Sequence, residues 1–438
     1  MPGTQNGVWV WDSQGNGDFC SVDVALSDPG NSCNDEILGN ISGQVSTSYG
    51  MLISDASTTL SSQSSAEFPK QTITDEAGAF SFSNNPFGFN YRINVSKDEE
   101  YHNGLSTLDL VFISRHILNQ ETLADPYKIL AADANDDATI SVLDISLFRQ
   151  IILSGDDDLD NQKSWLFIDK QTPFIDPSNP WPYNENIQIN NFGAALQKQD
   201  FIGIKIGDVN ESYRQAEIRE PQVVTFDIKD RFVRKEETID VEMIANTPIA
   251  GTQFTALTRD LELLKTVVKG ENITAEHTVV HDNDFTLSWN TSNFTQDQEP
   301  TVFTFTFKAQ KDIILSESIE LNSSITTAEA YLSSDLSKLY DLQLTFSSDE
   351  QQTILRQNKP NPFSSETLIE IELAQADDIQ LEIFDLNGKK ILERGGFYQK
   401  GRHKFLITEN DLQSNTGILY YKVQVNDEVF TKKMMFIK

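Results

Sequence analysis

The chain has 438 residues, of which 66 are Asp or Glu and 34 are Lys or Arg, and its formal net charge is -32 at pH 7. This charge argues against nucleic acid as a partner, because phosphates are bound mainly by Lys and Arg. It suits an extracellular protein that meets calcium. No apolar run approaches the roughly 18 residues of a membrane-spanning helix, and the length predicts about three domains.

Residues 7–27 alternate apolar and polar side chains around a turn at 14–17, which predicts two strands. The pattern resembles the closing strands of an immunoglobulin-like repeat of the hyalin type. We therefore expect 1–36 to be the end of a truncated domain and a linker, in the C-terminal part of a longer protein. Cys20 and Cys33 are the only cysteines. In an extracellular setting they predict a disulfide, with two free thiols as the alternative.

Residues 37–97 predict a small β-sandwich with strands near 41–45, 57–60, 71–74, 79–83 and 91–95. The motif I-x-G-x-V at 41–45, followed by TDEAGAFSF and YRINV, resembles modules of the carboxypeptidase-regulatory or Cna-B type. This resemblance implies a spacer without chemistry of its own.

A twelve-residue loop, 133–144, carries the clearest chemical signal. Oxygen-bearing side chains occupy its positions 1, 3, 5, 7, 9 and 12, which are Asp133, Asn135, Asp137, Thr139, Ser141 and Asp144. Calcium takes about six to eight oxygen ligands, and a loop with this spacing can wrap them round one point. The sequence predicts a calcium site here, with a solvated acidic turn as the alternative.

An internal repeat relates GLSTLDLVFISRHIL at 104–118 to TISVLDISLFRQIIL at 139–153, with an offset of 35 residues. In both copies the apolar spacing becomes helical after the aspartate. Loop followed by helix, twice, resembles a dockerin domain, here spanning 98–215, which implies paired calcium loops and protein docking. A second, weaker calcium site is predicted by extending the first loop backwards, and its residues are Asp98, Glu100, Gly104, Ser106 and Asp109.

In cellulosomal dockerins, positions 10 and 11 carry hydroxyl residues that meet the cohesin partner. Here they are Thr107 and Leu108 in the first loop, and Val142 and Leu143 in the second. The resemblance therefore implies calcium-dependent folding rather than cellulosomal docking. GDVN at 207–210 looks like the start of a third loop, but a linear count from Asp208 puts Arg219 at position 12, so we interpret it as structural. The aromatic residues of 164–183 are expected to pack against the helices, with a sugar-binding platform as the alternative.

Residues 222–347 alternate along strands such as TIDVEMIA, FTLSWN and VFTFTFKA, which predicts an all-β domain. The strand order resembles cohesin-like and related carbohydrate-binding β-sandwiches. The resemblance implies two kinds of partner: a dockerin-type module, docked in cis or between chains, or a polysaccharide.

The last segment, 353–438, contains LRQNKPNPFSSETLIEIEL, LEIFDLNGKKI and GILYYKVQVNDEVFTKKMMFIK. These motifs resemble the type A sorting domain of the type IX secretion system. From Leu355 to Lys438 there are 12 Lys or Arg and 12 Asp or Glu, so the upstream chain carries the whole net charge. The resemblance implies recognition by the type IX machinery and delivery to the outer surface or the medium.

Taken together, the sequence predicts a mainly β, multidomain fold. Immunoglobulin-like β-sandwiches stand in series with one small α-helical, dockerin-like calcium-binding domain. No phosphate loop, zinc spacing or nucleophile motif occurs, so we expect no enzyme activity. The predicted function is the non-catalytic C-terminal region of an adhesin-like surface protein. The alternative is the docking or carbohydrate-binding portion of an extracellular polysaccharide-degrading protein whose catalytic domain lies upstream.

Overall fold

The computed structural model describes residues 6–11, 17–22, 37–62, 67–98, 101–155, 163–213, 223–268, 275–291, 299–348, 353–412, 415–426 and 428–437. The chain divides into two compact units. The first comprises Met1–Lys97, Phe167–Pro173 and Tyr183–Gly203, and the second comprises Asp98–Leu166, Phe174–Pro182 and Ile204–Lys438. None of the helices among these residues is long and apolar enough to cross a membrane.

The first strands of the chain are β1 (Asn6–Trp11) and β2 (Gly17–Val22), which pair antiparallel. Two four-stranded sheets follow, with the orders β6-β3-β10-β8 and β5-β4-β7-β9. Their strands are β3 (Leu38–Ser46), β4 (Ser57–Ser61), β5 (Lys70–Ile73), β6 (Ala79–Pro86), β7 (Tyr91–Ser96), β8 (Trp165–Asp169), β9 (Asn186–Ile189) and β10 (Phe201–Lys205).

The five strands expected between 37 and 97 are present, but their sheets are completed from further along the chain. β9 pairs antiparallel with β7, and β10 pairs parallel with β3, where Phe201 stands opposite Val45. Residues 165–205, expected to belong with the helices, supply β8, β9 and β10 instead. The β-module is therefore discontinuous in sequence, and the helices are inserted between its strands.

Three helices form the inserted region: α1 (Thr107–Ile117), α2 (Pro126–Ala131) and α3 (Val142–Ser154). Residues 98–166 together with 204–213 are called the helical region below. Both predicted repeat helices are thus present. Each begins after a serine whose backbone N–H donates to the aspartate three residues on, Ser106 to Asp109 at 2.9 Å and Ser141 to Asp144 at 2.8 Å. Such caps satisfy N–H groups that the first helical turn leaves free.

A large β-sandwich follows. Its elements are β11 (Val223–Asp230), β12 (Phe232–Val233), β13 (Thr238–Ala245), β14 (Ile249–Thr258), β15 (Leu261–Val268), β16 (Thr278–Val280), β17 (Asp284–Asn290), β18 (Val302–Ala309), β19 (Ile313–Ile314), α4 (Leu315–Ser318), β20 (Ile319–Asn322), β21 (Glu329–Leu332) and β22 (Asp335–Ser348). The main path is β15-β18-β13-β11-β22-β21-β14-β17-β16, with β20 on β14 and β12 paired with β19. Alternate residues Phe303, Phe305 and Phe307 of β18 are fully buried. The mainly β fold class is confirmed.

The C-terminal segment forms a three-stranded sheet, β23-β24-β27, and a four-stranded sheet, β26-β25-β28-β29. Ile369, Ile371 and Leu373 are buried, as the alternation predicts. Gly388, with a φ of 77°, lies in the turn between β25 and β26, where a left-handed residue is required. The strands are β23 (Ile354–Leu355), β24 (Glu366–Leu373), β25 (Asp377–Phe384), β26 (Lys390–Tyr398), β27 (Gly401–Thr408), β28 (Gly417–Val425) and β29 (Glu428–Phe436).

One arginine joins this segment to the large sandwich. Arg356 follows β23, and its Nη2 lies 2.9 Å from Oδ2 of Asp230, a fully buried carboxylate at the end of β11. Its Nη1 donates to Oγ of Ser316 at 2.7 Å. Its Nε lies 3.5 Å from Oε1 of Glu370, and its Nη2 also lies 3.4 Å from Oε2 of Glu372. Because a buried carboxylate without its cation is costly, the junction depends on this side chain.

We expect Arg356→Ala to lower the free energy of unfolding by about 3–5 kcal/mol, since it leaves Asp230 buried without a cation. Lys404→Ala is the matched control: its side chain is 59% exposed and lies 3.5 Å from the same Glu370. Removing this exposed pair should cause no measurable loss. Urea unfolding, with hydrogen exchange of β11 and β24 as the local readout, measures both variants. Equal effects of the two substitutions would contradict this role of Arg356.

Candidate functional site

The loop 133–144, called the second loop below, is closed by hydrogen bonds from its own backbone. Asp133, at position 1, accepts from the N–H groups of positions 5 and 6 at 3.1 and 2.9 Å. Asp144, at position 12, accepts from the N–H groups of positions 2 and 9 at 2.9 and 2.8 Å. Both carboxylates are buried, whereas Asp137 and Thr139 are exposed. The loop therefore has a buried base and a rim open to solvent.

The first repeat copy is closed in the same way, but by a distant segment. If 208–213 take positions 1–6 and 104–109 take positions 7–12, then Asp208 accepts from positions 5 and 6 at 2.7 and 3.0 Å. Asp109 accepts from positions 2 and 9 at 3.0 and 2.9 Å. These are the same four hydrogen bonds as in the second loop. We call 208–213 together with 104–109 the composite loop.

A glycine allows the two halves of the composite loop to approach. Gly104 has a φ of +83°, and a Cβ placed there would lie 3.0 Å from Cβ of Tyr213 and 3.1 Å from Oδ2 of Asp208. Its carbonyl oxygen accepts from Oγ of Ser212 at 3.1 Å. Any larger residue would press against residues 208–213, called the returning segment below. It would also adopt a conformation that L-residues rarely take. The fold of this corner requires glycine at 104.

The residues predicted for the weaker calcium site are separated by the structure. Gly104, Ser106 and Asp109 belong to the composite loop. Asp98 instead accepts hydrogen bonds from the Tyr101 hydroxyl and from the backbone N–H of Ser164, both at 2.9 Å. Glu100 lies outside the described residues.

The interpretation of GDVN as purely structural rested on a linear count from Asp208 to Arg219. In the structure, the residue at position 12 is supplied by Asp109, from the other end of the helical region. The signal that could have found this is the repeat itself. The first copy, 104–118, aligns only with positions 7–12 of the second loop and the helix after it. Positions 1–6 of a complete loop must therefore come from another part of the chain.

Buried carboxylates dominate the electrostatics of both loops. Asp109 is fully buried, and burial, followed by the nearby Asp208, raises its pKa well above the ordinary value. Burial also raises the pKa of Asp208 to about 6. In the second loop, burial raises the pKa of Asp133, whereas hydrogen bonds from Thr139 and Asn135 lower the pKa of the exposed Asp137. At Asp109, Asp208 and Asp133, burial therefore favours either protonation or a nearby bound cation.

The donor set of each loop mixes carboxylates with neutral oxygens. Over the ranges that the structure describes, no group of three or more His, Cys, Asp or Glu side chains is arranged to hold a metal ion. The oxygens available in the two loops come from Asp, Asn, Ser and Thr side chains and from the backbone at position 7. A donor set made of oxygen alone suits a hard cation rather than zinc.

Two further predictions concern the aromatic residues of 164–183 and the pairing of the two cysteines. Trp165 is 3% exposed, and its ring meets Tyr213 edge-on with the centroids 4.8 Å apart. This side chain is therefore buried and not part of an exposed platform, but its ring partner Tyr213 lies outside the three helices, so packing of this tryptophan against the helices stays a prediction. Cys20 lies on β2, but Cys33 lies outside the described residues, so the disulfide stays a prediction.

Comparison with known families identifies the C-terminal segment. The family described as "Secretion system C-terminal sorting domain" matches residues 360–438. The predicted sorting domain is thus confirmed, and the chain is exported by type IX secretion to the cell surface or the extracellular space. No curated protein sequence matches the chain.

Solved structures similar to the chain include the following three, all at low sequence identity. The major pilin subunit BcpA of Bacillus cereus is 11% identical, with 91% of this chain and 97% of that one covered and a TM-score of 0.22. Latent dimeric PorU of Porphyromonas gingivalis is 9% identical, covering 96% and 35%, with a TM-score of 0.20. The type II cohesin dyad of the adaptor scaffoldin ScaA from Acetivibrio cellulolyticus is 10% identical, covering 49% and 77%, with a TM-score of 0.21. At these TM-scores none of them transfers a function to this chain.

The raised pKa of Asp208 predicts a specific pH dependence in metal-free buffer. A carboxyl group whose folded pKa is raised stabilises the fold below its unfolded pKa, and this contribution is lost as the pH rises through about 6. Between about pH 4 and pH 7, the Asp208→Asn variant should therefore lose roughly 1–3 kcal/mol less stability than the natural chain does. Thermal unfolding at a series of pH values measures this difference.

Asp137→Asn is the control for this measurement. The pKa of Asp137 is lowered, so its contribution changes only below about pH 4 and the loss at higher pH should persist. Parallel profiles for the natural chain and Asp208→Asn would contradict the assignment of the buried charge.

Proposed function

We propose that this chain is the non-catalytic, exported C-terminal region of an adhesin-like surface protein, and that two calcium ions staple its helical region. The observation that carries the calcium part is the equivalence of the two loops. The same four hydrogen bonds are made by Asp133 and Asp144 in one loop and by Asp208 and Asp109 in the other. Only one of the two loops is continuous in sequence.

Each loop offers oxygen ligands at the positions that a twelve-residue calcium loop uses. In the second loop these are Asp133, Asn135, Asp137, the backbone carbonyl of Thr139, Ser141 and Asp144. In the composite loop they are Asp208, Asn210, Ser212, the backbone carbonyl of Gly104, Ser106 and Asp109. This second set replaces Asp98 and Glu100 of the earlier expectation by residues from the returning segment. A divalent cation would compensate the two carboxylates buried in each loop.

The proposed role of calcium is to order the region rather than to catalyse a reaction. The composite loop joins Asp109 to a segment that lies a hundred residues further along the chain. A cation bound there holds the start of α1 to the end of the helical region. Extracellular calcium modules bind in about the 10⁻⁴–10⁻³ M range, which suits a surface protein. The polysaccharide-binding alternative and the absence of catalysis stay predictions.

Calcium titration by calorimetry tests this proposal with matched variants. We expect two ions per chain for the natural protein, one for Asp133→Ala and one for Asp208→Ala. Asp98→Ala is the control and should retain two ions, because Asp98 bonds to Tyr101 and Ser164 instead. At a hundredfold excess over its dissociation constant, each bound ion should stabilise the fold by about 2.7 kcal/mol.

Several outcomes would refute specific parts of the proposal. Unchanged melting curves with calcium and with chelator, together with no heat of binding, would remove the calcium role altogether. Loss of an ion in Asp98→Ala but not in Asp208→Ala would restore the continuous first loop and reject the composite one.

A further inference from the structure

The outer face of the sheet at β14 and β17 is polar, yet it is buried. On β17, Phe285, Leu287 and Trp289 point into the sandwich core, while Thr286 and Ser288 alternate with them and are also fully buried. A polar sheet face without a cover would be solvated. Here the helical region, which belongs to the same compact unit, covers it.

Helix α1 contacts this face through its first residue. The backbone N–H of Thr107 donates to Oε1 of Gln253 on β14 at 2.7 Å. Its hydroxyl lies 2.7 Å from Oγ of Ser288 on β17. Thr107 and Ser288 are fully buried and Gln253 is 5% exposed. These polar groups therefore satisfy one another in the absence of bulk water.

Helix α3 contacts the same face through its last turn. The hydroxyl of Thr326 donates to the carbonyl of Ile152 at 2.5 Å, and the hydroxyl of Thr286 donates to that of Leu153 at 2.8 Å. The last four carbonyls of a helix have no partner within the helix, so these threonines complete its C-terminus. The sandwich thus supplies hydroxyl donors to two carbonyl groups at the end of this helix.

An asparagine links both helices to the end of β17. Nη2 of the buried Arg149 on α3 donates to Oδ1 of Asn290 at 2.6 Å. The amide of Asn290 donates in turn to Oγ of Ser114 on α1 at 3.0 Å.

A Cβ at Gly251 of β14 would lie 3.1 Å from Cγ2 of Val111 and 3.3 Å from Cγ2 of Thr107. The backbone of the sheet and the side chains of α1 are therefore in close contact.

The two repeat copies differ at this contact. Thr107 is equivalent to Val142 by the 35-residue offset, and Leu108 is equivalent to Leu143. Thr107 and Leu108 are 0% and 4% exposed, whereas Val142 and Leu143 are 66% and 53% exposed. The one hydroxyl retained at position 10 is thus the one that bonds to the sandwich.

We propose that the helical region is docked in cis on the sandwich of its own chain, through position 10 of the first repeat copy and the C-terminal half of the second repeat helix, so that this docking face is closed to any separate partner protein. Residues 214–222 connect the two parts. A connection this short gives an effective concentration of about the millimolar range, which favours binding within one chain. The contacts that carry this inference are protein–protein hydrogen bonds, and it stands without calcium.

Disulfide trapping tests the inference in the full chain. Thr107→Cys with Ser288→Cys places two sulfurs where two hydroxyl oxygens are 2.7 Å apart. Under mild oxidation we expect a disulfide bond between positions 107 and 288 within a monomer. Mass spectrometry identifies the bonded positions, and light scattering distinguishes a monomer from a dimer. The control pair, Val142→Cys with Ser288→Cys, uses the equivalent position of the other copy and should form a bond at least about tenfold more slowly.

Each outcome decides the proposal. A 107–288 bond between two chains in a dimer would replace cis docking by exchange between copies. Equal trapping of the control pair, or no trapping of the test pair in a folded protein, would reject the docked face. Trapping that is identical with calcium and with chelator would retain cis docking while arguing against a calcium requirement, so the two proposals fail separately.

A second variant serves if the cysteine pair impairs folding. Gly251→Leu places a side chain against Val111 and Thr107, whereas Gly193→Leu, with only the Asn191 carbonyl oxygen within 4 Å, is the control. We expect faster hydrogen exchange throughout α1 and α3 in Gly251→Leu alone, with the β18 core unchanged. Unchanged exchange of both helices would overturn the proposal.

Discussion

Two aspartates buried side by side set the main constraint on the second compact unit. Asp109 lies in the first turn of α1, Asp208 comes from the far end of the helical region, and each accepts hydrogen bonds from backbone N–H groups of the composite loop. Hydrogen bonds orient these carboxylates, but burial, followed by repulsion from Asp208, still raises the pKa of Asp109. The proposed calcium ion would offset both effects, and would also link two segments that are about a hundred residues apart in sequence.

The consequences of this join extend into the sandwich. Position 9 of the composite loop is the cap of α1, and position 10 is Thr107, whose N–H and hydroxyl meet β14 and β17. The residue that caps α1 in the composite loop and the residue that contacts the sandwich are therefore neighbours in sequence. At the junction with the sorting domain, Arg356 compensates the charge of the buried Asp230. Polar groups buried at the junctions, rather than one continuous apolar core, connect the parts of this unit.

Features encoded by local periodicity could be predicted from the sequence. The alternation of Phe303, Phe305 and Phe307, and of Ile369 and Ile371, marks buried strand faces directly, because a strand repeats every two residues. The second loop was found because all its oxygens lie within twelve residues. The composite loop was missed because a linear count in either direction ends on the wrong residue, Arg219 or Asp98. The polar face of β17 was likewise indistinguishable from a solvated one, since its cover is distant in sequence.

The most direct test of this account is an anomalous difference map from crystals grown with calcium. We expect two peaks, one between the carboxylates of Asp133 and Asp144 and one between those of Asp109 and Asp208. A peak beside Asp98, or no peak between Asp109 and Asp208 at saturating calcium, would contradict the claim that the returning segment completes the first calcium loop.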